Sequence, residues 1–373
     1  MLKTTFPHMG TLYIPMKSLL STLGLEPVAP PPTSQRTIAI GTKLAPEFAC
    51  LPLKVNLGNY VEAIADGAEL IMMAGGVGPC RFGYYSQVQR EALAEAGYRA
   101  ELITLEAPNA DLRELLRAIK KYIPRHNLSA LFQALHMFWK KAEAIDVFDR
   151  LANRIRAKEQ APGSASLIQN RFYRAIDNAA TLNDIKAVLD TGIQELQAIP
   201  IDQERKPLKV MLLGEIYMVL EPKVNFQIER LLGEMGVEVI RSIYLSQWIR
   251  EHLFQNPITN KTQRYLLHLA QPYLESHVGG HGLESVAHTI EAGVNRLDGV
   301  VQIAPFTCMP EIIAMQVIPA ISTHFSIPAL HLIIDEHSGE AGIKTRLEAF
   351  IDLLNYRKSK YQPKREPILT GGF

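Results

Sequence analysis

The chain is predicted to form two α/β domains, each with a parallel sheet, joined by a helical segment. Three observations predict this. Residues 1–107 and 208–356 carry short apolar or β-branched runs alternating with runs of helical period. The connections between these runs are short, as βαβ units require. Residues 108–207 lack strand signals, and long helical patterns dominate there instead. Residues 357–373 form a basic, proline-containing tail that reads as loosely ordered.

In the first domain, Thr4 to Thr11 reads as a short strand ending in the turn Pro7-His8-Met9-Gly10. Tyr13 to Leu23 places Ile14, Leu19, Leu20 and Leu23 at helical spacing and stops at Gly24. Leu25 to Ala29 reads as extended, cut off by Pro30-Pro31-Pro32. Thr37-Ile38-Ala39-Ile40 reads as a β-branched strand closed by Gly41. A helix with Pro52 in its first turn runs to about Asp66. Strand Glu69 to Met73, the glycine-rich turn Ala74 to Gly83, helix Tyr84 to Ala96 and strand Tyr98 to Leu105 complete the domain.

The middle segment reads as helices over Leu112 to Tyr122, Leu128 to Lys158 and Ala165 to Leu189, with its clearest break at Ala161-Pro162-Gly163-Ser164. Phe132, Phe138 and Trp139 fit a core stripe there. In the second domain, strands are expected from Lys209, Val237, Asp298 and Ala329. Helices are expected over Pro222 to Met235, within Leu245 to Glu275, and over Leu283 to Ala292, Pro310 to Ser322 and Glu340 to Leu354. The two α/β halves read as pseudo-equivalent, since each has a cysteine in a turn after a strand.

Composition narrows the function classes. The 373 residues are 47% hydrophobic and 21% charged, ordinary globular usage that supplies a sizeable core. The 39 basic and 38 acidic residues nearly cancel, and no long block of one sign appears. Neither nucleic acid nor an anionic membrane surface is therefore expected as a partner. The first residues, Met1 to His8, lack the apolar run of a signal peptide, and no stretch of roughly 18 apolar residues suggests a membrane span. A cytoplasmic protein is expected.

Cysteine occurs three times, as Cys50, Cys80 and Cys308, each within two residues of a proline. An odd count in a reducing compartment argues against a disulfide framework. Cys80 and Cys308 each follow an apolar strand by a few residues, and ligands of open α/β sheets sit beyond the carboxyl ends of strands. Cys50 precedes a helix, whose dipole favours a thiolate. Three converging thiolates suit an iron–sulfur cluster with one iron left open. They also suit zinc, with His277 or His281 as fourth ligand. No C-x-x-C pair is present, and cysteine also serves as a small buried hydrophobe.

The blocks Lys43-Leu44-Ala45-Pro46-Glu47-Phe48-Ala49-Cys50-Leu51-Pro52-Leu53-Lys54, Gly78-Pro79-Cys80-Arg81-Phe82-Gly83-Tyr84-Tyr85 and Gly214-Glu215-Ile216-Tyr217 lie in this frame. So do Gly279-Gly280-His281-Gly282-Leu283-Glu284-Ser285, Pro305-Phe306-Thr307-Cys308-Met309-Pro310-Glu311 and Asp335-Glu336-His337-Ser338-Gly339-Glu340-Ala341-Gly342. Together the sequence resembles the 2-hydroxyacyl-CoA dehydratase and benzoyl-CoA reductase superfamily, in its activase-related branch with double-cubane-cluster relatives. The resemblance implies two flavodoxin- or Rossmann-like domains with a [4Fe-4S] cluster on Cys50, Cys80 and Cys308 at their interface. It implies an ATP-hydrolysing activase as electron donor, a small substrate such as an acyl-CoA, a homodimer or heterodimer, and an anaerobic setting. No cysteine remains for a second cluster, and no actin-like glycine-rich phosphate motif appears, so the activase would be a separate protein.

Other residues have both functional and ordinary readings. Glu215 and Tyr217, at a strand end, could ligate the open iron or handle protons, or simply close the strand. His281, among glycines, could bind metal or form a turn. Arg81 could offset cluster charge or lie on the surface. In Asp335-Glu336-His337, Asp335 reads as a cap, while Glu336 or His337 could approach the site. Three functions follow: a cluster-containing reductase or electron-transfer component, a 2-hydroxyacyl-CoA dehydratase subunit, or a non-redox zinc-binding assembly protein.

Overall fold

The computed structural model describes residues 1–75, 80–105, 121–123, 127–250 and 261–360. Each strand-rich stretch builds one four-stranded, all-parallel sheet. The first half contains β1 (Lys3–Thr5), α1 (Tyr13–Thr22), β2 (Glu26–Pro27), α2 (Gln35–Leu44) and α3 (Leu51–Ala65). It continues with β3 (Leu70–Ala74), α4 (Tyr85–Glu95) and β4 (Glu101–Leu105). Its strand order is β2-β1-β3-β4. Thr4 stands opposite Leu70, and Leu70 to Ala74 run beside Glu101 to Leu105.

Thr37 to Ile40, expected as a strand, lie in α2. Two local facts override their β-branched preference. The Ser34 hydroxyl accepts the Thr37 N–H at 3.2 Å, and the Thr37 hydroxyl accepts the Ser34 N–H at 3.0 Å, a reciprocal cap that starts a helix. Gly41 then serves packing rather than termination. A Cβ on Gly41 would lie 1.6 Å from the Lys54 carbonyl oxygen, and one on Gly58 would lie 1.9 Å from the Thr37 carbonyl oxygen. These two glycines let the backbones of α2 and α3 touch.

α3 is the central helix: 12 of its 15 residues are buried. Leu53, Leu57, Tyr60 and Val61 pack with Ile71 and Met73 of the first sheet. Leu51 and Val55 join the core of the second half with Val210, Leu212 and Tyr217. A helix buried on nearly all sides has to be covered on those sides, and here the two halves cover it between them.

The middle segment contains α5 (Leu128–Arg156), α6 (Ser164–Asn178) and α7 (Leu182–Gln197). The single helix expected from Ala165 to Leu189 is two. The Thr181 hydroxyl accepts the Asp184 N–H at 3.1 Å and the Asp184 carboxylate accepts the Thr181 N–H at 2.8 Å, restarting the helix. Phe148 and Phe172 stack at 3.8 Å between ring centroids in the core of this segment. Phe138 is buried and Trp139 packs beside it, but Phe132 is exposed, so the expected aromatic stripe holds only in part. Apart from Lys121 and Tyr122, the helix expected over Leu112 to Tyr122 lies outside the described residues.

The second half contains β5 (Leu208–Gly214), α8 (Ile216–Leu220), α9 (Ile228–Glu234), β6 (Val237–Arg241), α10 (Leu245–Ile249) and α11 (Lys261–Ala270). It ends with α12 (Gly282–Val294), β7 (Gly299–Pro305), α13 (Met309–Phe325), β8 (Ala329–Ile334) and α14 (Glu340–Lys360). Its order, β6-β5-β7-β8, repeats that of the first sheet: second, first, third, fourth. The helix expected over Pro222 to Met235 is confined to α9. Arg241 bolts this half to α5, pairing with Asp149 at 3.1 Å and with Glu229 at 3.3 Å. Among the described residues, no helix is long and apolar enough to cross a membrane.

Candidate functional site

Five of the residues singled out in the sequence occupy the same kind of position. Cys50 is the N-cap of α3, and Cys308 follows β7 and is the N-cap of α13. Cys80 follows β3 and caps a short 3-10 turn, Arg81–Tyr84, that runs into α4. Glu215 follows β5 and caps α8, and His281 caps α12. Helix N-termini present backbone N–H groups and the positive end of the dipole, so they favour negative charge. Proline in the first turn of α3 and α13 places Cys50 and Cys308 there, since proline fits where no N–H is needed.

The contacts between halves bring these caps together. The Thr307 hydroxyl donates to the Phe48 carbonyl oxygen at 3.2 Å, tying the Cys308 turn to the Cys50 loop. Lys54, one turn into α3, donates to Glu336 at 2.5 Å; both side chains are largely buried. Gly280 lies against Cys80: a Cβ there would be 3.7 Å from the Cys80 Sγ and 3.1 Å from Pro310 Cγ. The Tyr85 hydroxyl contacts the Cys50 Sγ. Cys50 and Cys308 are buried, and Cys80 is partly exposed.

The acids of this cleft are driven toward their neutral forms. Burial pushes the Cys308 thiol up, and Glu215, Glu311 and Cys50 push it further, against the Glu311 backbone N–H. Burial raises Glu215 to about 7, although the N–H groups of Tyr217 and Met218 oppose the shift. Burial raises Glu311 to about 8, reinforced by Glu215 and Glu284 and opposed by hydrogen bonds from Gln302 and Ser285. Those bonds are 2.7 Å from Gln302 Nε2 and 3.0 and 3.1 Å from the Ser285 hydroxyl. His331 Nδ1 lies 2.6 Å from Gln302 Oε1 behind them. A metal cation reverses this balance, because a coordinating thiol gives up its proton. Three thiols at helix N-termini, backed by acids, are a donor set that fits a thiolate-bound metal group. Among the described residues, no group of three or more His, Cys, Asp or Glu is placed to hold a metal ion.

Several residues expected at the site are engaged elsewhere. The buried Tyr217 donates its hydroxyl to the His8 carbonyl oxygen at 2.6 Å, and His8 Nδ1 lies 2.9 Å from Glu221. Tyr217 thus pins the loop after β1 onto α8. His281 Nε2 accepts the Trp248 indole N–H at 3.2 Å, and His277 Nδ1 accepts the Gly279 N–H at 3.0 Å. Asp335 accepts the His337 N–H at 3.0 Å and the Ser338 hydroxyl at 2.8 Å, organising the turn before α14. Gly76 to Pro79 lie outside the described residues, as does the side chain of Arg81.

Sequence reasoning assigned no role to Lys54, Tyr85 or Glu311. Two signals were present. Gln302 is a polar residue in the otherwise apolar β7, and its partner Glu311 follows Cys308 by three residues, one turn along α13. No protein-family model matches the chain, and no curated protein matches it, so the chemistry of this cleft is read from its residues and their geometry.

Proposed function

We propose that the chain is the cluster-bearing component of a low-potential reductase or electron-transfer system of the 2-hydroxyacyl-CoA dehydratase type. The observation that carries this reading is that all three cysteines of a 373-residue chain are N-caps of helical turns, and that the Tyr85–Cys50, Thr307–Phe48 and Gly280–Cys80 contacts bring those turns of both halves together. In this reading Cys50, Cys80 and Cys308 hold a [4Fe-4S] cluster. Such a cluster supplies one-electron transfer and, with three cysteine ligands, an iron open to a substrate atom. The repeated strand order supports a flavodoxin-like identity for both halves, with Cys80, Glu215 and Cys308 beyond the first or third strands where such folds bind ligands.

The chain's own residues then have definable tasks. The helix N-termini offset the charge of the thiolates. Glu215, raised to about 7, can hold or release a proton at its carboxyl near neutral pH. Lys54 and Glu336 keep the two halves in register around the cleft. Glu311, anchored by Ser285 and Gln302, backs the Cys308 turn. Electrons come from a separate ATP-hydrolysing activase, and the substrate is a small molecule that is hard to reduce.

Anaerobic reconstitution with iron and sulfide tests the reading. About four irons per chain and a brown protein are expected, and Cys80→Ser or Cys308→Ser should abolish retention. A colourless protein that takes up zinc instead, or full iron content in either variant, would overturn it.

A further inference from the structure

We propose that the Tyr85 hydroxyl is a hydrogen-bond donor to the Cys50 sulfur, and that it sets the reduction potential of the group held by the thiolates. This rests on the cluster reading above. Tyr85 is the first residue of α4, and its phenol reaches the N-cap of α3, 35 residues earlier in the chain. The ring is buried and packs on Phe82 at 5.4 Å between centroids, so its position is fixed by packing rather than by the sulfur alone. A thiolate carries no proton, so in this contact the phenol hydroxyl is the donor.

A donor to a ligating sulfur stabilises the more negative, reduced state and raises the potential. The corresponding position of the second half carries no phenol. Tyr85 follows Cys80 by five residues, and the residue five after Cys308 is the aliphatic Ile313. The phenol thus acts on the Cys50 corner, beside the partly exposed Cys80.

The test is an anaerobic redox titration of reconstituted wild-type protein and Tyr85→Phe, each with its iron content measured. Tyr85→Phe keeps the ring and should retain full iron. Its reduction equilibrium should move about tenfold toward the oxidised form, about 59 mV for one electron. An exchangeable proton coupled to the reduced cluster, detected by electron–nuclear double resonance after deuterium exchange, should also be lost. Site-specific 3-fluorotyrosine at position 85, a stronger donor of nearly the same shape, should shift the potential upward, and it decides the matter if Tyr85→Phe does not fold. Full iron with unchanged potential and proton signal overturns this inference and leaves the cluster reading standing. Wild-type protein without iron overturns both.

Discussion

The first and second halves share a strand order, and each has a cysteine after its third strand as the N-cap of the helical turn that follows. The helix leading into that strand is buried almost all round in both: 12 of 15 residues in α3 and 10 of 13 in α12. Their buried chemistry is opposite. The first half brings a cation, Lys54, and a phenol, Tyr85, to the cleft. The second brings the carboxyls Glu215, Glu311 and Glu336. At the cap of the helix before the third strand, Cys50 in one half stands where His281 stands in the other. One topology has thus been given two complementary faces, and the difference decides which half supplies two thiols and which supplies acids.

The largest test of this complementarity is the ion pair that joins the faces. Lys54→Met leaves Glu336 without its buried partner and should cost about 3 kcal/mol in denaturant unfolding. The double variant Lys54→Met/Glu336→Leu should recover most of that. Lys54 holds the Glu336 carboxylate below its ordinary value, against the effect of burial. Its contribution is therefore present above the unfolded-state value near 4.5 and fades as pH falls through the lower folded value. A loss below 1 kcal/mol in Lys54→Met would show that the pair does not join the halves.

The next test asks whether the two buried helices are equivalent in their closest approaches. A Cβ on Gly58 of α3 would lie 1.9 Å from the Thr37 carbonyl oxygen, and one on Gly282 of α12 would lie 2.4 Å from that of Pro310. Gly58→Ala and Gly282→Ala should each cost about 1–3 kcal/mol through overpacking. Gly342→Ala, in α14 with open space around it, should be neutral or slightly stabilising. Equal thermal stability of Gly282→Ala and wild type would break the parallel.

The smallest expected effect concerns the acidic face alone. Burial raises Glu311 from 4.5 to about 8. A raised carboxyl stabilises the fold fully below its unfolded value, and that stability is lost as pH rises through the folded one. Thermal stability of protein prepared without added metal should therefore decline between about pH 5 and 8. Glu311→Gln should flatten the decline by on the order of 1 kcal/mol. An unchanged slope in that variant would place the titration elsewhere.

Much of the site's framework was legible because its signals are local. Cys-x-Pro at Cys50 and at Cys308 marks a cap followed by a proline that tolerates the first turn, and both caps form. The strand before each of Cys80 and Cys308 was legible from its apolar run. Thr181-Leu182-Asn183-Asp184 was also a readable capping box, but the apolar spacing that runs through it hid the break between α6 and α7. The error at Thr37 to Ile40 has a different origin. β-branched residues favour strands only where a pleated neighbour is available, and Gly41 gave α2 a closer partner in α3.

The sequence by itself determined the alternation of strands and helices, the helix-capping positions of the cysteines and the change to long helices in the described part of the middle segment. All of these rest on interactions within a few residues. Only the tertiary structure decided that both sheets take the same order, that α3 lies between the two cores, and that Tyr85 meets Cys50 while Lys54 meets Glu336. It also turned Tyr217 away from the cleft to hold His8. The reason is physical: burial, pairing and proton affinity depend on groups 35 to 282 positions apart in the chain, and no spacing rule reaches across such separations.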